Sequence, residues 1–247
     1  MAGWSRLNLG DRPVERYDPS GSTRRVVLFL HAHPATTLSA PHLIDIASAT
    51  LERLNLACVA PIAGPTWWGD RADSEINPAF IPAQFVRDTV LPWIRSTWSG
   101  AIIGLAGIEM GGRGALTLAF QEPERFPVVA SLRGAIELDQ HYRQADRYPE
   151  LLRLYSSAQK CRQDSPLFHI RPDMYPDKIW LACDPRDEDW ARGNDRLDEK
   201  LNALGIAHQV DLTTSARGDP EAYDALMVPR MLEFLASAMT SQGRRLL

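Results

Sequence analysis

Residues 102–118, IIGLAGIEMGGRGALTL, constrain the fold more than any other stretch of the chain. An apolar run (Ile102, Ile103, Leu105, Ala106) leads into Gly107-Ile108-Glu109-Met110-Gly111-Gly112, and an Ala/Leu-rich helical pattern begins at once. That order predicts a strand, a very tight turn and a helix. Gly107 and Gly111 stand two places before and two places after Glu109. Small residues there let a strained turn present one side chain above a sheet. The residue so presented is Glu109.

The flanking sequence supplies the remaining layers. Residues 5–17 alternate loosely about Gly10-Asp11-Arg12-Pro13, which predicts two short edge strands joined by a turn. The runs 25–30, 56–60, 128–132, 178–183 and 208–212 read as further strands, and the first is continuously apolar, as in a parallel sheet buried on both faces. Helices are expected over 41–55, over 81–98 with an irregularity at Pro92, over 192–204 ending at Gly205, and over 221–239. The segment 61–80 is rich in Pro, Gly and Asp and long enough for a functional loop at strand tips. Residues 137–175 are polar, helical and loop-rich, and read as a small cap-like insertion over the strand tips. Strand and helix alternate, so the expected architecture is α/β, a doubly wound and mostly parallel sheet flanked by helices, in a single domain spanning residues 1–247.

Composition narrows the function. The net charge of -4 and the lack of a long basic run argue against nucleic acid as a partner. No apolar run approaches the length of a membrane span, and the first residues lack a secretory pattern, so a cytoplasmic protein without membrane attachment is expected. Cys58, Cys161 and Cys183 are scattered without metal-ligand spacing and are expected to stay reduced. The glycines at 107, 111, 112 and 114 match no nucleotide-binding pattern, and no cofactor is expected.

Four local signals occur together in one order. The glycine spacing about Glu109 is that of a GxSxG nucleophile elbow. The run VLFLHAHP resembles an LHG-type loop after a third strand, VRDTVLPWI resembles the helix before an elbow strand, and GGRGALTLAFQEPERFPVV resembles a GGxGAL segment with its PxxF turn. Over roughly residues 25–238 the chain resembles α/β-hydrolases of the esterase D (S-formylglutathione hydrolase) type. In that family an elbow Ser attacks an acyl carbonyl, a His on the last loop takes its proton, an Asp after the seventh strand orients the His, and two backbone N–H groups hold the oxyanion.

The resemblance carries these roles over position by position. The nucleophile position is Glu109. The acid position is Asp187, with Asp184 and Asp189 as alternative registers. Reading back from PRMLEFL, the general-base position is Asp219. The oxyanion donors are the N–H of Met110 and of a residue near His33, with His31 on the same loop. Trp67 and Trp68 are candidates to line a pocket, against the blander reading of core or lid packing. Arg133 is a candidate to pair with Glu109 and fill the acyl site.

With Glu and Asp where the family has Ser and His, the resemblance implies an esterase-like scaffold with a degenerate triad. The expected protein is a non-hydrolytic or impaired pseudoenzyme whose pocket binds a small-molecule ligand. The competing reading is an active hydrolase using Glu109 as nucleophile or base. A carboxylate metal site built from Glu109, Asp187 and Asp219 is a third. Oligomeric state is not legible in the sequence.

Overall fold

The central strands of the computed structural model have apolar residues on both faces, and this sets the architecture. Residues 2–73, 77–142, 144 and 146–245 are described. Parts of the 61–80 loop (74–76) and of the 137–175 insertion (143 and 145) lie outside them. The strands are β1 (Gly3–Leu9), β2 (Arg12–Asp18), β3 (Arg25–Leu30), β4 (Ala57–Pro61), β5 (Ile102–Ile108), β6 (Val128–Leu132), β7 (Lys178–Ala182) and β8 (Gln209–Asp211). They form one sheet in the order β1-β2-β4-β3-β5-β6-β7-β8. The β1–β2 hairpin is antiparallel and joins β4 antiparallel, while every pairing from β4 to β8 is parallel. The N-terminal hairpin and the alternating organisation agree with the sequence, but of the hairpin's two strands only β1 is an edge strand, because β2 also pairs with β4.

Alternation along the strands divides the core in two. Val26, Leu28 and Leu30 of β3 and Leu105 of β5 face one side. There they meet α3 (Leu91–Thr97), α4 (Met110–Gln121) and α7 (Ala191–Ala203). Val27 and Phe29 of β3 and Ala106 and Ile108 of β5 face the other, against α1 (Ile44–Leu54) and α8 (Pro220–Arg245). A central strand that buries both faces has no polar alternation, which is why these runs read as continuously apolar.

Several boundaries differ from expectation. The 81–98 helix is interrupted at Val86–Val90, where the chain is π-helical and the Leu91 N–H bonds the Val86 carbonyl. This segment joins α2 (Pro82–Phe85) to α3. Pro92 has no N–H to continue the ordinary ladder, so the irregularity falls just before it. The last helix starts at Pro220 and runs to Arg245, with Pro229 inside it. The last strand is only Gln209–Asp211.

Between β6 and β7 the chain forms short helices, including α5 (Glu150–Leu154) and α6 (Ala158–Gln163). A buried arginine of α4 ties this segment to the elbow helix. Arg113 donates to the Asp164 carbonyl at 2.7 Å and carboxylate at 3.0 Å, to the Tyr155 hydroxyl at 3.2 Å, and to the Trp67 carbonyl at 2.8 Å. No helix among the described residues is long and apolar enough to cross a membrane.

Candidate active site

The site begins with the turn between β5 and α4. Glu109 adopts φ 52° and ψ -112°, a conformation that non-glycine residues rarely hold. Three backbone bonds keep it there: its N–H donates to the Leu132 carbonyl at 2.9 Å, and its carbonyl accepts from Arg113 at 3.0 Å and Ala135 at 3.1 Å. The glycine at 111 is obligatory for a spatial reason, since a Cβ there would lie 1.9 Å from the Leu30 carbonyl oxygen. The elbow helix thus packs directly on the end of β3, and Glu109 stands at the mouth of a cleft.

The Glu109 carboxylate is partly buried and accepts the backbone N–H of His33 at Oε2, over 3.2 Å. Burial pushes its pKa up to about 7, against the opposing pull of the Arg133 charge and of His33. Among the described residues no imidazole is hydrogen-bonded to this carboxylate. The His33 ring is engaged elsewhere: its Nε2 lies 3.0 Å from Oε1 of Glu150, and it stacks on Trp67. The same Glu150 oxygen accepts from Trp67 Nε1 at 2.9 Å.

Arg133 follows β6, at φ 48°. It does not hydrogen-bond Glu109. Instead its guanidinium forms a fork on Asp224 of α8, at 2.7 and 2.9 Å, and reaches Asp187 at 3.2 Å. The expected pairing of Arg133 with Glu109 is therefore corrected. Two acidic side chains from separate elements accept its three side-chain hydrogen bonds, and it acts on Glu109 through its charge. Burial pushes the Asp224 carboxyl up, against the pull of Arg133. The other oxygen of Asp187 accepts from the amides of Asp189 and Trp190, at 3.1 and 3.0 Å, which closes the turn after β7.

Glu109, His33, Arg133 and Asp187 line one cleft of about 620 Å³ with Tyr148 and Trp190. Other sequence candidates lie outside its lining. Asp219 is exposed, and its Oδ1 accepts from the amides of Glu221 and Ala222, both at 3.1 Å. Its side chain caps α8, and its neighbours Gly218 and Pro220 line the cleft. Among the described residues no group of three His, Cys, Asp or Glu side chains is placed to hold a metal ion.

Trp67 and Trp68 are fully buried, not on the cleft surface. Trp68 donates to the His31 carbonyl at 3.1 Å, and the Trp67 amide lies 3.2 Å from the Met110 sulfur. His31 is buried too, with Nδ1 2.8 Å from the Ala32 carbonyl and Nε2 accepting the Ala63 amide at 3.0 Å. Burial depresses its pKa to about 4, so it is a neutral tether between two strand-tip loops. Met110 is buried at the start of α4.

Sequence reasoning missed Asp224, Glu150, Tyr148 and Trp190. None sits in a motif. Asp224 alone carried a weak signal, as an acidic residue within an otherwise apolar stretch of the last helix.

A strained residue at the tip of a central parallel strand, a helix running from it, and a cleft at the strand ends define an α/β-hydrolase fold. The chain belongs to the esterase family described as "Putative esterase", whose family model matches residues 70–238, more than half of its length. No curated protein matches it in sequence. Solved structures share the fold at low identity. The fluorophosphonate-binding serine hydrolase F of Staphylococcus aureus is 14% identical with a TM-score of 0.77, covering 95% of this chain and 98% of its own. The S-formylglutathione hydrolase of Agrobacterium tumefaciens is 16% identical with a TM-score of 0.70, covering 96% and 94%. MPT51 of Mycobacterium tuberculosis is 14% identical with a TM-score of 0.76, covering 97% and 100%.

Proposed function

We propose that this esterase-family protein does not hydrolyse esters by a serine–histidine mechanism, and that the cleft at Glu109 serves as a binding site for a small molecule. The observation that carries this reading is the hydrogen bond from the His33 amide to the Glu109 carboxylate. By resemblance, an N–H near His33 is an oxyanion donor. Here the side chain at the nucleophile position takes that donor for itself, so a substrate carbonyl would have to displace a carboxylate to use it. Asp219, at the general-base position, supplies no imidazole and is occupied as a helix cap.

One feature favours a second reading, in which Glu109 is a general base acting on water. A carboxyl that titrates near 7 is well matched to proton transfer at neutral pH. Turnover of p-nitrophenyl acetate separates the two. The binding reading expects the purified protein and Glu109→Ala to match the buffer rate, with activity arising only in Glu109→Ser/Asp219→His. Wild-type turnover well above buffer that vanishes in Glu109→Ala would overturn it. A cytoplasmic location belongs to the same proposal and is supported by three free, buried cysteines.

A further inference from the structure

Asp184 ties together two loops that line the cleft. It is buried just after β7, and its Oδ1 accepts the Arg186 amide at 2.8 Å. Its Oδ2 accepts the amides of Ala216 and Gly218, at 2.7 and 3.1 Å. One carboxylate thus ties the turn after β7 to the loop after β8. The contact is close: Gly218, at φ 82°, packs so that a Cβ would lie 2.9 Å from the Arg186 carbonyl oxygen.

This clamp sets Arg186 and Arg217 on adjoining loops that both line the cleft. Neither guanidinium has an ion-pair or hydrogen-bond partner among the described residues. The other two arginines of the cleft are engaged, Arg133 with Asp187 and Asp224, and Arg147 with Asp189. Glu188, exposed on the same turn as Arg186, offsets part of this positive charge. The Glu109 carboxylate has no ion pair among the described residues either: the amide of His33 sits on one oxygen and the charge of Arg133 acts on it without a hydrogen bond. The cleft therefore offers unpaired charge of both signs.

We propose that the cleft binds a small zwitterion, with its ammonium group against Glu109 and its carboxylate held by Arg186 and Arg217. A simple anion would satisfy the arginines but face Glu109. A simple cation would satisfy Glu109 but share the cleft with two unpaired guanidinium groups. A molecule carrying both charges answers both, and the planar donor fork of arginine matches a carboxylate. Tyr148 and Trp190 supply an apolar wall for the carbons between the two charges. This inference rests on the reading that the cleft binds rather than hydrolyses.

The charged and titratable groups acting on Glu109 are His33, Arg133, Asp224, Arg147 and Tyr148. Its own carboxyl titrates at about 7, so binding is best read at pH 8, where it is ionised.

The test is calorimetric titration of the full chain with L-alanine, β-alanine, γ-aminobutyrate and ε-aminocaproate, a ladder of increasing charge separation. Butyrate and butylamine serve as singly charged controls. At least one zwitterion should bind about tenfold or more tightly than both controls. Arg186→Gln/Arg217→Gln should remove that advantage while weak amine binding persists, and Glu109→Gln should remove the advantage over butyrate. Both arginines are exposed, and unchanged thermal unfolding of the double variant would show that its fold is intact. Zwitterions that bind no better than the controls, or an advantage indifferent to the arginine pair, would overturn the proposal. Glu109-dependent ester turnover would sink the non-hydrolytic reading without altering the order of affinities in this ladder, so the two failures are distinguishable.

Discussion

His33 holds Glu109 and Glu150 at once, donating its amide to the first over 3.2 Å and placing its ring nitrogen 3.0 Å from the second. One residue of the loop after β3 therefore positions the elbow carboxylate and anchors to the insertion between β6 and β7. The amide relieves only part of the cost of enclosing Glu109, whose carboxyl still titrates at about 7 against an ordinary 4.5.

That shift makes stability depend on pH in a defined direction. The folded state holds the Glu109 proton more tightly than the unfolded state. Its contribution is complete below about pH 4.5 and is lost as pH rises through about 7. Glu109→Gln, which cannot ionise, should gain on the order of 3 kcal/mol relative to wild type between pH 4 and pH 8. Urea unfolding at the two pH values measures it, and an equal difference at both would contradict the assignment.

Arg133 is the cation on which two enclosed carboxylates depend. Arg133→Leu should destabilise by about 3–5 kcal/mol, because Asp187 and Asp224 lose their shared partner. Adding Asp224→Leu should recover a large part of that loss. A double variant as unstable as the sum of the singles, by urea midpoints, would show that the pair is not coupled.

The elbow tolerates no side chain at 111. Gly111→Ala would drive a Cβ to 1.9 Å from the Leu30 carbonyl and 2.7 Å from that of His31, both fixed backbone, so loss of soluble folded protein is expected. Gly104→Ala is the contrast, since its Cβ meets the ends of Leu235 and Met239 at 3.0 and 3.3 Å. Soluble yield and circular dichroism of the two variants would separate them, and a well-folded Gly111→Ala would show that β3 and α4 are less tightly joined.

Asp219 acts on α8 rather than on the cleft surface. Asp219→Ala should cost about 1 kcal/mol through the lost cap and leave zwitterion affinity unchanged. Thermal unfolding and the calorimetric titration read the two effects separately. A loss of affinity without a loss of stability would place Asp219 in the site.

Some of this was legible in the residues and some was not. Asp219-Pro220-Glu221 has the local chemistry of a helix start, an Asp cap with Pro at the first helical position. The resemblance drew attention to the same Asp as a site residue, and the local signal describes where its hydrogen bonds go. His31 and the Trp67-Trp68 pair looked like site candidates because they flank strand tips. The structure buries all three, with their polar atoms satisfied by backbone groups or by Glu150.

The sequence by itself determined the parallel sheet and the elbow, because both leave a local pattern in the chain: continuous apolar runs, and small residues about one strained position. Only the tertiary structure decided what faces Glu109. Arg133 chooses Asp224, 91 positions away, over the nearer-seeming Glu109. Asp184 brings Arg186 and Arg217 to one rim through bonds spanning 32 and 34 positions. Partners of this kind follow from how the loops of separate strands meet above the sheet, and no spacing along the chain encodes them.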